Sequence, residues 1–226
     1  MTFSITGHCP RTGQIGVAIT TSSIAVGSRC PWVRSGKGAV ATQNVTRPSI
    51  GNDILDLIEK GHDANTALES VMAVEKHPEY RQVAVVDRNG NCALFSGGNT
   101  LGRHATATGI GCIAAGNLLA NEKLPSVMIS SFESNSNCEL PERLLCALES
   151  GLNEGGGEAG PVHSSALLVA GDLPWPIVDL RVDWSDNCPV AGLRELWDAY
   201  APQMQDFTNR AINPAMAPSY GVPGDE

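Results

Sequence analysis

The sequence predicts an α+β fold in which two antiparallel sheets stack with helices outside, and three observations predict it. Hydrophobic periodicity switches along the chain from short apolar runs to helical stripes and back, giving four strands, two helices, a strand block, two helices, two strands and a helix. Turn residues such as Cys9-Pro10-Arg11-Thr12-Gly13 and Arg88-Asn89-Gly90-Asn91 join consecutive runs closely, as hairpins require. The chain of 226 residues, 42% hydrophobic and only 17% charged, can bury a sizeable core.

In order, Phe3 to Ile5 is a short apolar segment, and Ile15 to Thr20 returns from the first turn as its partner. Ile24 to Gly27 reads as a third strand. Ser35-Gly36-Lys37-Gly38 then turns into Ala39-Val40-Ala41-Thr42-Gln43, a fourth. From Ser49 the period lengthens: Ile50, Ile54, Leu55, Leu57 and Ile58 form one stripe that stops at Lys60-Gly61. A second helix spans about Ala64 to Ala73 with Asp63 as its N-cap and Ala67, Leu68 and Val71 inside. Gln82 to Asp87 and Cys92 to Ser96 are strands flanking the Asn89-Gly90 turn, and one further strand covers about Thr108 to Ala115. Leu124 to Phe132 and Leu140 to Leu152 are helices; Ser165 to Ala170 and Pro176 to Val182 are strands; Val190 to Tyr200 is a closing helix. No repeat or linker divides the body, so one domain is expected over residues 1–203, followed by a loosely ordered tail over 204–226, rich in Pro, Ala and Asn.

Composition excludes several function classes. Fifteen Lys and Arg against 24 Asp and Glu give a formal charge of -9, which disfavours binding to a phosphate backbone, so no nucleic acid partner is expected. No basic segment followed by a long apolar run opens the chain and no stretch has the length of a membrane helix; a cytoplasmic protein with no membrane partner is expected. The seven cysteines are scattered without CxxC spacing and read as reduced thiols, with Cys112 and Cys146 in apolar runs as small core residues. His8, His62, His77 and His104 lack metal-ligand spacing; no metal is expected.

The chemistry-bearing stretch is the start, Met1-Thr2-Phe3-Ser4-Ile5. With Met1 removed, Thr2 would carry a hydroxyl and a free α-amine on one residue, and such an amine titrates at about 7.7 to 8.0, so part of it is a neutral base near neutral pH. It can take the hydroxyl proton directly or through one water. Met-Thr is equally an ordinary chain start.

Seven stretches, spread in order over about residues 1 to 200, resemble the DUF1028 family of the N-terminal nucleophile (Ntn) hydrolase superfamily. They are Met1-Thr2-Phe3-Ser4-Ile5, Thr12-Gly13-Gln14-Ile15-Gly16-Val17-Ala18, Gly38-Ala39-Val40-Ala41-Thr42-Gln43, Arg81-Gln82-Val83-Ala84-Val85-Val86-Asp87, Ala115-Gly116-Asn117-Leu118-Leu119, Glu142-Arg143-Leu144-Leu145 and Val178-Asp179-Leu180-Arg181-Val182-Asp183. The resemblance implies a four-layer αββα sandwich whose first strand delivers a nucleophile into a cleft between the sheets. It also implies a hydrolase acting on a small, non-peptide amide-type bond through a Thr2 acyl-enzyme, without a cofactor, and a homo-oligomer. A catalytically silent sandwich that binds a metabolite or a partner is the alternative. One stretch departs: Gly156-Gly157-Glu158-Ala159-Gly160-Pro161-Val162-His163-Ser164-Ser165 stands where the family pattern is Gly-Gly-Asp-Arg-Arg-Gly-Arg-Gln-Ser-Ala, so a family substrate is not carried over.

Beside Thr2, the resemblance points to Asn117 as donor to the developing oxyanion; a turn or cap role is the competing account. Gln43 and Asn44 end the strand bordering the nucleophile and are substrate-binding candidates, or surface turn residues. Ser22, or Thr21, can orient the Thr2 amine, or simply end its strand. His163 precedes a strand that faces the nucleophile in similar folds and can tune the amine near neutrality, or is a satisfied polar group. Arg81 can hold a substrate carboxylate, or pair with an acid. Asp179, Arg181 and Asp183 alternate on one strand face as an ion-pair network.

Overall fold

The computed structural model describes residues 1–222; the end of the expected tail, Pro223-Gly224-Asp225-Glu226, lies outside the described residues. Strands β1 (Thr2–His8) and β2 (Ile15–Thr21) form a hairpin in register Thr2 to Thr21. The strand expected at Ile24 to Gly27 is absent. Ala25 takes φ +54° and Val26–Ser28 makes a single 3-10 turn, while the Ala25 and Val26 N–H groups bond Asp183 O and Ser164 Oγ instead of a ladder. The strand starts later, as β3 (Pro31–Arg34), and turns through Gly36, φ +64°, into β4 (Gly38–Asn44).

Helices α1 (Ser49–Glu59) and α2 (Ala64–Val74) bury Ile50, Ile54, Leu55 and Ile58, and Ala67, Leu68 and Val71. Asp63 caps α2 by accepting the Thr66 N–H at 2.7 Å. The hairpin β5 (Arg81–Asp87) to β6 (Cys92–Ser96) is closed by Asp87, whose Oδ1 accepts the Asn89 and Asn91 N–H groups at 2.9 and 3.0 Å.

The single strand expected over Thr108 to Ala115 is two: β7 (Ala105–Gly109) and β8 (Cys112–Asn117), joined by Ile110-Gly111. Ile110 made the run look continuously apolar, yet it is 87% exposed at the hairpin tip, and Gly111 supplies the positive φ of +66° that a two-residue turn needs. Then come α3 (Leu124–Ser134), α4 (Leu140–Asn153), β9 (Ser164–Ala170), β10 (Pro176–Val182), α5 (Pro189–Tyr200) and α6 (Met204–Ile212). The last of these lies where composition suggested only a loose tail. Beyond it the chain folds back, with the Arg210 guanidinium 3.9 Å over the Tyr220 ring and Arg210 Nη2 donating to Pro218 O at 3.0 Å.

The strands form two antiparallel sheets, six-stranded β10-β9-β2-β1-β8-β7 and four-stranded β3-β4-β5-β6. Side-chain alternation sorts the core into three groups. Phe3, Ile5, Leu167 and Val169 pack with α3, α4 and α5; Val40, Val83 and Val85 pack with α1 and α2. The third group takes Ile15, Val17, Ile19, Ile113 and Ala166 from the larger sheet and Ala39, Ala41 and Ala84 from the smaller. Among the described residues no helix is long and apolar enough to cross a membrane.

Candidate active site

Thr2 begins the strand in the interior of the larger sheet. Its Cα partners are Thr21 on β2 and Asn117 on β8, so the three side chains leave the same face, while Phe3 points the other way into the helical core. The Thr2 hydroxyl donates to Met1 O at 2.7 Å and lies 3.1 Å from the Thr21 hydroxyl, which also donates to Met1 O. A carbonyl oxygen is thus held by two hydroxyls immediately before Thr2.

A buried amide chain ties this face to the smaller sheet. Ser4 Oγ donates to Gln43 Oε1 at 2.7 Å, Gln43 Nε2 to Gln82 Oε1 at 2.8 Å, and Asn117 Nδ2 to the same Gln82 oxygen at 3.1 Å. Gln82 Nε2 reaches Ser96 Oγ at 3.2 Å and Gly116 O at 3.3 Å. One of the two Asn117 Nδ2 hydrogens is thus spent on Gln82, whereas its Oδ1 is buried with no partner. Leu118, directly after it, is held at φ +52°, a left-handed conformation a leucine adopts only under constraint. Backbone bonds fix it: Leu118 N to Leu101 O at 3.0 Å, and Ala159 N to Leu118 O at 3.0 Å.

That last bond brings in the segment after α4. Leu119 bridges Glu158, and the Met1 side chain rests on Gly160, where an added Cβ would lie 3.1 Å from Met1 Cε. Glu158 is buried with neither carboxylate oxygen hydrogen-bonded. Burial, only partly offset by the N-terminal amine and the nearby Ser22 N–H, pushes its carboxyl up to about 8.

The structure brings together Thr2, Thr21, Asn117 and Gln43, the last through its amide rather than as a surface turn. Ser22 follows Thr21 and presents its backbone N–H toward Glu158. His163 lies at the edge: its N–H donates to Thr21 O at 2.8 Å, while its ring stacks on Trp184 at 4.4 Å with Nδ1 2.9 Å from Ser185 O. Asn44 and Arg81 are not brought in. Being one residue beyond Gln43 and one before Gln82, they leave the opposite face of the smaller sheet. Asn44, at φ +69°, donates to Tyr80 O at 2.6 Å and accepts from Leu101 N at 3.2 Å. The Arg81 guanidinium binds Glu75 Oε1 at 3.0 and 3.2 Å. Burial works against the Glu75 charge, yet the Arg81 hydrogen bond and its neighbours hold that carboxyl below its usual range. Ser164 and Ser165 are likewise engaged, with Ser23 O at 2.6 Å and Pro189 O at 2.8 Å.

Gln82 and Glu158 were missed. Gln82 opens a strand read only as apolar, although alternation sets it on the face of Ala84, where an amide needs a polar partner. Glu158 stands where the family pattern has an acid after Gly-Gly, a match hidden in a stretch otherwise divergent. Two of the thiols, Cys112 and Cys146, offer little competition, because burial pushes both up to about 12. Among the described residues no group of three or more His, Cys, Asp or Glu is placed to hold a metal ion.

Known proteins locate the chain without giving it an activity. A solved structure from Silicibacter pomeroyi, a DUF1028 protein, is 30% identical over 88% of this chain and 89% of that one, with a TM-score of 0.81. Two Anbu (ancestral beta-subunit) structures are much more distant. That from Yersinia bercovieri has 11% identity, a TM-score of 0.41 and coverage of 97% and 100%; that from Hyphomicrobium sp. strain MC1, a Gly-1 mutant, has 12%, 0.39, and 94% and 99%. No curated protein matches the chain. With residues 2–193 matched by the profile described as "Family of unknown function (DUF1028)", the chain belongs to the DUF1028 family.

Proposed function

We propose that this protein is an N-terminal nucleophile hydrolase, built as a four-layer αββα sandwich, that cleaves a small non-peptide amide-type bond with Thr2. The observation that carries the reading is the acyl oxygen of Met1, held 2.7 Å from Thr2 Oγ1 and by the Thr21 hydroxyl. A substrate carbonyl taking that place would meet a nucleophile and a donor together. The distribution of core residues from both sheets between them supports the layering.

Once Thr2 is N-terminal, its α-amine takes the hydroxyl proton, directly or through a water, as Oγ1 attacks the substrate carbonyl carbon. The Thr21 hydroxyl donates to the developing oxyanion. The protonated amine then passes its proton to the leaving nitrogen, and the C–N bond breaks to leave an ester on Thr2. Water, deprotonated by the same amine, attacks that ester and restores the Thr2 hydroxyl. Asn117 is assigned a second donor role at the oxyanion, because Nδ2 spends one of its two hydrogens on Gln82, while its unpaired Oδ1 can accept from the amine.

The test is a panel of ureido, lactam and acylamide metabolites assayed with protein prepared to begin at Thr2. Hydrolysis is expected there, and none with Thr2→Val of unchanged circular dichroism, nor with any residue left ahead of Thr2. Full activity in protein with an uncleaved extension would overturn the mechanism; metabolite binding without turnover would favour the silent sandwich.

A further inference from the structure

Arg143, on the first turn of α4, is 6% exposed and pairs with no carboxylate among the described residues. Its Nε donates to Phe132 O at 3.3 Å, and its guanidinium lies 3.9 Å over the Phe132 ring. The terminal nitrogens meet no acceptor in the described chain, and neither is sealed from solvent. Arg81, buried to the same degree, instead sits 3.0 Å from Glu75. A buried cation without a counter-ion is unfavourable, and a ligand that brings an anion to it offsets that cost.

Arg143 opens onto a cavity of about 390 Å³, which His8, Cys9, Pro10, Ile110 and Glu133 also line. His8 ends the strand that Thr2 begins, so this cavity lies roughly 20 Å from Thr2 along β1. No other group in the lining neutralises Arg143. Burial holds the His8 ring below its usual value, with Asp87 opposing and Arg143 assisting, so near neutrality it is an uncharged hydrogen-bonding group. Burial works against the Cys9 charge, yet hydrogen bonds from Thr12 and Arg11 hold that thiol below its usual range; Arg143 contributes least, so Cys9 is not its counter-ion. Arg11 Nη2 is engaged by Asn137 O and Cys138 O at 3.3 and 2.9 Å. Glu133 is exposed, and its Oε1 accepts the Ile110 N–H at 3.0 Å.

The free end of the guanidinium offers two parallel N–H donors, which match the two oxygens of a planar carboxylate. Glu133 in the same lining repels a dianion more than a monoanion, which disfavours phosphate. We propose that this cavity binds a small monocarboxylate, with its oxygens on the Arg143 Nη groups and its apolar end against Pro10 and Ile110. The site is separate from Thr2 and does not depend on the hydrolase reading.

Full-length protein titrated with butyrate, its neutral isostere butyramide and inorganic phosphate, and followed by backbone-amide NMR, tests it. Butyrate is expected to bind about 10-fold more tightly than butyramide, with shifts centred on Cys9, Ile110 and Arg143, and Arg143→Lys, which keeps the charge but loses the fork, to remove that preference. Thr2→Val is expected to bind butyrate as the parent does. Equal affinity for butyrate and butyramide, no binding of butyrate, tighter binding of phosphate, a preference untouched by Arg143→Lys, or binding lost with Thr2→Val would each overturn the site. If Arg143→Lys fails to fold, the exposed Glu133→Gln decides. It removes the opposing charge and should tighten butyrate roughly 2- to 5-fold while leaving butyramide unchanged; no change for butyrate would overturn the site.

Discussion

Asn117 Oδ1 is a buried acceptor without a hydrogen-bond partner, and Glu158 is a buried carboxyl approached by the Ser22 N–H and the N-terminal amine. Such groups are few in native proteins and concentrate where a ligand or a reaction completes them. For Glu158 the electrostatic consequence is measurable in the free protein. Its carboxyl titrates near the usual 4.5 in the unfolded chain but is pushed up to about 8 by burial in the folded one. Between those values the native state binds the extra proton, so the Glu158 contribution to stability is fully present below about pH 4.5 and is lost as pH rises through about 8. Glu158→Gln should remove that slope, so that its melting temperature exceeds the parent's by more at pH 8.5 than at pH 4.5. Parallel pH profiles of the two proteins would contradict the assignment.

At the scale of elements, most helices were legible because each buries one face and writes a stripe into the sequence, and strands such as β1, β2 and β5, buried on both faces, because they write short runs bounded by turns. The failures share a cause. Ile24 to Gly27 and Gly109 to Gly111 are apolar by composition but turn in space, and the signals that distinguish them, φ +54° at Ala25 and φ +66° at Gly111, are backbone states. The resemblance named Thr2 and Asn117, and placed Gln43 at the end of the strand bordering Thr2; the structure sets these three side chains in one region. Arg81 pairs with an acid, Glu75, which is one of the two readings its sequence position offered, and Asn44 leaves the face opposite to Gln43. One contact between elements was equally invisible. Gly51 lets α1 rest on β3, since a Cβ there would come within 2.2 Å of Trp32 Cδ1. Gly51→Ala should gain about 1 kcal/mol of helix propensity yet lose about 1–3 kcal/mol to overpacking, so a lowered melting temperature is expected. A rise would show that Trp32 moves aside freely.

For the whole molecule, isoleucines and a valine of the larger sheet share a core with alanines of the smaller, and amides link the two sheets at one end. Gln82 joins them there, touching Gln43 and Ser96 on its own sheet and Gly116 and Asn117 on the other. Gln82→Leu keeps the volume but strands those partners, at roughly 1–3 kcal/mol for each buried group left unpaired. Urea unfolding should show the loss, and the hydrolysis proposed for Thr2 should fall further than stability alone explains, because Asn117 is no longer tethered. Unchanged stability would mean that water replaces the amide. Strand order also sets a clock. The strand headed by Thr2 lies between β2, which is made early, and β8, whose Asn117 is synthesised 115 residues later. At 5–20 residues per second, that edge of β1 stays unpaired for roughly 6 to 23 s during synthesis. Whatever precedes Thr2 is open to a processing enzyme in that interval, whereas in the folded chain Met1 is half-buried, with its carbonyl held by Thr21 and its side chain against Gly160.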